Sequence, residues 1–365
     1  MTSPAAAGMG KQDRQFTGLE PLIGIIANPA SGKDIRRLTG PASVVDNNEK
    51  ANVVRRILAG IAALGNHPIR YMPDHFGIVS RARDPAALDV APIDMHCRGH
   101  PADTVEATRA LVALDAAAIV VLGGDGTVRL VGRESGETPI VAVSTGTNNA
   151  IPEWIDGTLA GLAAALVAQR ALPLESLAPR TKRIEFRGRT ASGEFEDIAL
   201  VDGALLDEPH IGSRAVLRPD LLRHLFLTRA VPGVIGLSSI GAMSHPIADD
   251  VPHGLWMELG ARSPRTVLAP IAPGVIWRAP IHRTASLRLN RPITVEARGG
   301  VLALDGEREH KLTPDSLLSV TITRGGPRLA RIRDTIGAAT SAGLFVSPRV
   351  ENANEGAFAH DDEAQ

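Results

Sequence analysis

Apolar and polar positions divide the chain into two textures. Leu22-Ile23-Gly24-Ile25-Ile26-Ala27, residues 118–122 and residues 138–143 are continuous apolar runs of strand length, each closed by a small polar turn. Uninterrupted apolar strands belong to a parallel sheet covered on both faces. Between the first two, Val53, Val54, Ile57, Leu58, Ile61 and Leu64 recur at three- and four-residue intervals. That spacing predicts a one-faced helix, capped by Asp46 or Asn47 and stopped at Gly65. Residues 67–72 read as another strand, and Val105, Thr108, Leu111 and Val112 as the buried side of a helix capped by Asp103 or Thr104. Strand and helix alternate in this way to about residue 150, the pattern of a Rossmann-like α/β domain.

The texture then changes. An Ala-rich helix over 159–169 reads as the link between domains. From 182 to 323, short alternating segments (183–187, 197–201, 255–259, 266–270, 286–289, 293–297, 301–304 and 318–323) are punctuated by Gly and Pro. They predict a mainly antiparallel β domain. The expected organisation is a loose tail (1–18), an α/β nucleotide-binding domain (19–155), a β-rich domain (156–325), a segment returning to the first domain (326–349) and a disordered acidic tail (350–365).

Composition narrows the function classes. Hydrophobic residues make up 44% and charged residues 22%, ordinary for a globular protein. The 39 basic and 40 acidic residues leave a net charge of −1, which argues against a nucleic-acid partner. Aromatic residues at 3% leave little for base stacking. The single Cys97 excludes an internal disulfide and suits a reducing compartment. The first residues lack a charged leader followed by an apolar core, and the longest apolar passages, 159–168 and 231–243, are too short or too Gly-rich to span a bilayer. A soluble cytoplasmic protein that acts on small molecules, with no membrane partner, is expected.

The three apolar strands end in Asn28-Pro29-Ala30-Ser31-Gly32-Lys33, Gly123-Gly124-Asp125-Gly126-Thr127 and Ser144-Thr145-Gly146-Thr147-Asn148-Asn149. In a parallel sheet these turns emerge on one edge, where backbone N–H groups and helix N-termini suit phosphate. Asp125 is the one carboxylate of the central turn. It reads as a base for a hydroxyl attacking phosphorus or as a Mg2+ ligand; it reads equally as a side chain bonding its own turn amides. Thr127 is a phosphate contact or a helix cap, and Asn148 and Asn149 bind a ribose or occupy turn positions. Lys33 after Ser31-Gly32 lacks the first glycine of a P-loop. Asp305-Gly306-Glu307 ends a predicted strand, and Asp-Gly is also the commonest hairpin signal. His96-Cys97-Arg98-Gly99-His100 lacks a second cysteine pair or an acidic partner at ligand spacing, so no structural metal site is expected.

Together, these motifs resemble those of the ATP-NAD kinase and diacylglycerol kinase-like superfamily. Gly123–Thr127 is similar to its signature, and Asn28–Gly32, Thr145–Asn149 and Asp305-Gly306-Glu307 are similar to motifs of its lipid-kinase branch. Residues 28–38 with Asp103-Thr104 and Gly126-Thr127-Val128-Arg129 look most like the acetoin catabolism protein X group, classed as ATP-NAD kinase-like. Asn149-Ala150 stands where NAD kinases carry Asn-Glu, and Leu130 where related protein X sequences tend to carry Asp. The resemblance implies two domains with the site in the cleft between them, ATP (or polyphosphate) and Mg2+, and NAD(H) as the favoured acceptor. It also implies a homodimer or homotetramer. By motif, Asp125 is the base and Asn148 or Asn149 contacts the dinucleotide. Asn28, Ser31, Gly32, Lys33, Gly123, Gly124, Gly126, Thr127, Thr145, Gly146 and Thr147 line the nucleotide, and Asp305 and Glu307 arrange the metal-bound phosphates. A kinase of a polyol or lipid headgroup, and a nucleotide sensor without turnover, are the alternatives.

Overall fold

The computed structural model describes residues 20–32, 45–82, 88–145, 149–208, 219–260 and 263–346. Both expected tails, and Lys33, Gly146, Thr147 and Asn148, lie outside the described residues. Strands β1 (Ile23–Ala27), β2 (Ile69–Tyr71), β3 (Val90–Pro92), β4 (Ala118–Gly123) and β5 (Ile140–Ser144) form a parallel sheet in the order β5-β4-β1-β2-β3. The period of two in these runs explains their unbroken apolar character. Ile23, Ile25, Val120 and Leu122 face one core, while Ile26, Ile119 and Val121 face another.

Helix α1 (Asn47–Ala62) covers the first face, packed beside α4 (Gly157–Ala168); α2 (Pro101–Ala113) and α3 (Asp125–Glu134) cover the second. Asp46 caps α1 by accepting from the Glu49 amide at 2.8 Å. α2 starts earlier than its spacing suggests. His100 is its cap, and Asp103, at the third position, accepts from the Arg98, Gly99 and His100 amides. This folds the His96–His100 stretch into a capping box.

Helix α4 is not a linker between domains. Its alanines belong to the α/β core, and a Cβ on Gly161 would fall 2.1 Å from the Ile57 carbonyl. The Ala and Gly content lets two helices approach backbone to backbone. After the short α5 (Leu174–Leu177) the chain enters the β lobe.

There β6 (Arg183–Thr190), β7 (Gly193–Ala199), β8 (Asp202–Leu206), β9 (Leu222–Leu227), α6 (Ser238–Ala242), β10 (His253–Leu259), β11 (Arg265–Ala272), β12 (Val275–Arg288), β13 (Ile293–Glu296), β14 (Val301–Leu304), β15 (Glu307–Lys311) and β16 (Leu317–Thr323) form two sheets. Their orders are β11-β12-β10-β9-β8-β14-β15 and β13-β16-β6-β7, with antiparallel ladders. Phe186, Phe226, Leu302 and Ile322 fill the space between the sheets, and α6 covers the outer face of the larger one. The chain then returns. β17 (Leu329–Ala330) joins the parallel sheet beside β5, and α7 (Ile332–Ser341) packs on α4 and α5. No helix among the described residues is long and apolar enough to cross a membrane.

Candidate active site

Because β5, β4 and β1 are neighbours, their three closing turns meet at one edge of the sheet. The Asn28 amide donates to the Leu122 carbonyl at 2.9 Å, and the Thr145 amide to Gly123 at 3.1 Å. Side chains tie the turns together. Asn28 Nδ2 donates to Thr127 Oγ1 at 2.9 Å, and Ser31 Oγ meets Thr145 Oγ1 at 2.8 Å. Asn149 Nδ2 donates to Ser144 Oγ at 2.6 Å. Gly123 is sterically required, since a Cβ there would lie 2.6 Å from the Thr127 Cβ. Gly124 caps α3, and a Cβ on it would reach within 3.0 Å of Asn149 Oδ1.

Asp125 is the first residue of α3 and is half-buried. Its carboxylate does not bond its own turn. Oδ2 accepts from the Ala150 amide at 2.8 Å and Oδ1 from the Ile151 amide at 2.9 Å, both in the loop after β5. One edge of the residue stays open to solvent, yet packed protein surrounds the carboxylate. Burial pushes its pKa up to about 6; the charge of Asp305 adds to the rise, while the two amides and the Arg229 guanidinium oppose it. The group is therefore mostly ionised at neutral pH and still basic enough to accept a proton.

The β lobe supplies the opposite wall. Asp305 (φ +48) and Gly306 (φ +80) make the two-residue turn between β14 and β15, so the Asp-Gly hairpin reading holds. The Asp305 side chain is buried and accepts from the Leu200, Val201 and Asp202 amides, at 3.0, 2.8 and 3.2 Å. Glu307 instead faces the head of α3: a Cβ on Gly126 would lie 3.1 Å from its Oε1. The same hairpin thus serves as turn and as wall.

Two residues to which the sequence assigned no role hold this arrangement. Arg129, one helical turn after Asp125, is 3% exposed and reaches Glu309 at 2.5 Å, Asp197 at 3.6 Å and Asp305 at 3.7 Å. Arg133 and His310 also engage Asp197, at 3.1 and 2.8 Å. The helix carrying Asp125 is thereby joined to the hairpin carrying Glu307. The second residue, Lys50 on α1, is fully buried beneath the Asn28–Gly32 turn. Apart from Asn47, which Lys50 also reaches, their partners are far away in sequence, which is why spacing does not reveal them. The one signal was Arg129 itself, in the Gly126-Thr127-Val128-Arg129 stretch that carries the resemblance.

A model of the ATP-NAD kinase N-terminal domain matches residues 23–171, and one of the acetoin catabolism protein X C-terminal domain matches residues 182–325. Acetoin catabolism protein X of Cupriavidus necator is 39% identical over 328 residues, covering 86% of this chain and 91% of the relative. The chain belongs to the acetoin catabolism protein X family. Its fold is that of the NAD kinases. Yeast NADH kinase, solved in complex with NADH, superposes with a TM-score of 0.52 at 15% identity, covering 92% of each chain. In this family member the parallel-sheet edge falls within the kinase-type domain, and Asp305, Glu307 and the acidic partners of Arg129 fall within the family-specific one.

Proposed function

We propose that the chain is an ATP- and Mg2+-dependent phosphotransferase of the NAD(H) kinase type, converting NAD or NADH to NADP or NADPH. The observation that carries this reading is Asp125. It is a carboxylate at the head of a helix, aimed by two backbone amides and held near pKa 6, beside turns lined with short polar side chains. In the proposed step Asp125 takes the proton of the adenosine-ribose 2′-hydroxyl as that oxygen attacks the γ-phosphorus of ATP. The new P–O bond forms, the bond to the bridging oxygen breaks, and ADP leaves. Base catalysis of this kind is worth about 10²–10⁴-fold. The α3 N-terminus and the turn amides stabilise the charge on the transferring group without reorganising.

Mg2+ fits the donor set. No group of three or more His, Cys, Asp or Glu side chains among the described residues is arranged to hold a metal, but Mg2+ normally takes one or two carboxylates plus phosphate oxygens and water. Glu307, facing the head of α3, would supply such a carboxylate while Asp125 stays free to act as the base, and the ion would neutralise phosphate charge.

Incubating the purified chain with Mg-ATP and NAD or NADH, and following ADP and NADP(H) together, tests the proposal. Equal amounts of both are expected. ADP without NADP(H), in the presence of another alcohol, would point to a different acceptor. A second reading, a nucleotide-binding regulator without turnover, draws on both Asp125 oxygens being engaged by amides. Tight nucleotide binding without ADP release would favour it.

A further inference from the structure

Lys50 takes no part in the chemistry above, yet it is fully buried. Its ammonium donates to the carbonyl oxygens of Asn28, Pro29 and Ser31, at 2.9, 3.2 and 2.7 Å, and to Asn47 Oδ1 at 3.1 Å. A buried ammonium is very costly unless acceptors surround it. Three of these acceptors are backbone oxygens of one turn, the turn that follows β1.

In a trans peptide the C=O and N–H bonds point in opposite directions. Drawing the Pro29 and Ser31 carbonyls towards Nζ therefore turns the Ala30 and Gly32 N–H groups to the far side. The Ala30 amide there donates to Asn28 Oδ1 at 2.8 Å, while Asn28 Nδ2 reaches Thr127. Ser31 Oγ donates to the Asn28 carbonyl at 2.9 Å and meets Thr145, so hydroxyl and ammonium converge on one oxygen. Gly32 has φ +73, and a Cβ on it would lie 2.6 Å from the Thr145 carbonyl. The turn is thus fixed from beneath by Lys50 and from the side by the other two turns.

We propose that Lys50 is a positioning residue for polyphosphate binding: by gathering the Asn28, Pro29 and Ser31 carbonyls, it fixes the turn, and with it the Asn28 and Ser31 side chains that tie it to the other two turns, beside the place of a nucleoside triphosphate's phosphates. Lys50 itself does not touch the ligand. The inference rests on the phosphotransferase reading for the ligand's identity, but its structural half stands apart from that reading.

The test uses the full chain and Lys50→Met. Amide hydrogen exchange over residues 27–32 is measured with and without Mg-ATP, together with the affinities for Mg-ATP and for inorganic tripolyphosphate. The Ala30 and Gly32 amides of Lys50→Met should exchange about tenfold faster while β4 and β5 keep their protection. Both affinities should fall about tenfold, with kcat at saturating ATP changed less than about twofold, because the lost interactions are charge-assisted hydrogen bonds away from the reacting atoms. Unchanged exchange, or unchanged affinity where the wild type binds, overturns the proposal. If the wild type binds neither probe, the phosphotransferase reading fails too, and exchange alone shows whether Lys50 holds the turn. Should Lys50→Met not fold, Asn47→Ala, which removes one acceptor of the ammonium, carries the same test with smaller expected changes.

Discussion

Replacing Arg129 by Met should separate the wall carrying Glu307 from the helix carrying Asp125. The guanidinium lies within 2.5–3.7 Å of the carboxylates of Glu309, Asp197 and Asp305 and is itself 3% exposed. At an effective dielectric constant of about 20, each such pair contributes roughly 4 kcal/mol of gross attraction, most of it offset by desolvation. Asp197 keeps Arg133 and His310, but removing the buried guanidinium that Glu309 and Asp305 also face should cost about 3–5 kcal/mol. A loss of that size lowers Tm by on the order of 10 °C in a chain of this size class. The pH dependence gives the sharper assay. Burial alone would raise the Asp197 pKa, but the His310 hydrogen bond, then Arg129, the Ile198 amide and Arg133 hold it below the ordinary 3.8. Asp197 therefore contributes stability that is present above pH 3.8 and is lost as the pH falls through its depressed folded pKa. Asp305 is raised, by burial first, with Arg129 limiting the rise. Without Arg129 both carboxylates bind protons more readily in the folded state. The stability gap between wild type and Arg129→Met, measured by urea unfolding, should be full at pH 7 and shrink steadily towards pH 3. A gap below 1 kcal/mol at pH 7, or one that does not change with pH, would refute the electrostatic account.

Other consequences follow from the same geometry. Asp125→Asn removes the base and sets its Nδ2 against one of the two amides that a carboxylate oxygen accepted from, so turnover should fall by at least about 10²–10⁴-fold; retention of more than about a tenth of the rate would remove Asp125 from that role. Since Asp125 must be ionised, kcat/KM should drop about tenfold per pH unit below its pKa of about 6, and a flat profile from pH 7 to pH 5 would contradict this. Gly161→Ala would place a Cβ 2.1 Å from the Ile57 carbonyl, so α1 and α4 must move apart. Overpacking of this kind costs about 1–3 kcal/mol, and a variant as stable as wild type in urea would show that the two helices are not in backbone contact.

The parallel sheet was legible because β1, β4 and β5 are buried on both faces and written as unbroken apolar runs. Strand β9 was not, because Leu222-Arg223-His224-Leu225 places two polar residues in a fully buried strand. Distant elements partner them: Arg223 Nη2 donates to the Glu296 and Ala297 carbonyls, and His224 accepts from Trp256 Nε1. Burial lowers the His224 pKa to about 4, with the Arg223 and Arg298 charges adding to the shift, so it is neutral in the core. Helix α4 was readable as a helix but not as a core helix, since its small residues matter only against α1. At the site, the three turns followed from strand adjacency. Arg129, Lys50 and the inward turn of Asp305 did not, because each depends on partners that only the folded chain brings near.

The central claim is that the Asp125 carboxylate serves a phosphoryl transfer to a hydroxyl of NAD(H). Transfer of radiolabel from γ-labelled ATP to NAD and NADH, compared between wild type and Asp125→Asn with the product position assigned by phosphorus NMR, tests it most directly. Label is expected on the adenosine-ribose 2′-oxygen with wild type and almost none with the variant. Equal labelling by both proteins, or no labelled dinucleotide from a wild-type protein that binds both ligands, would contradict it.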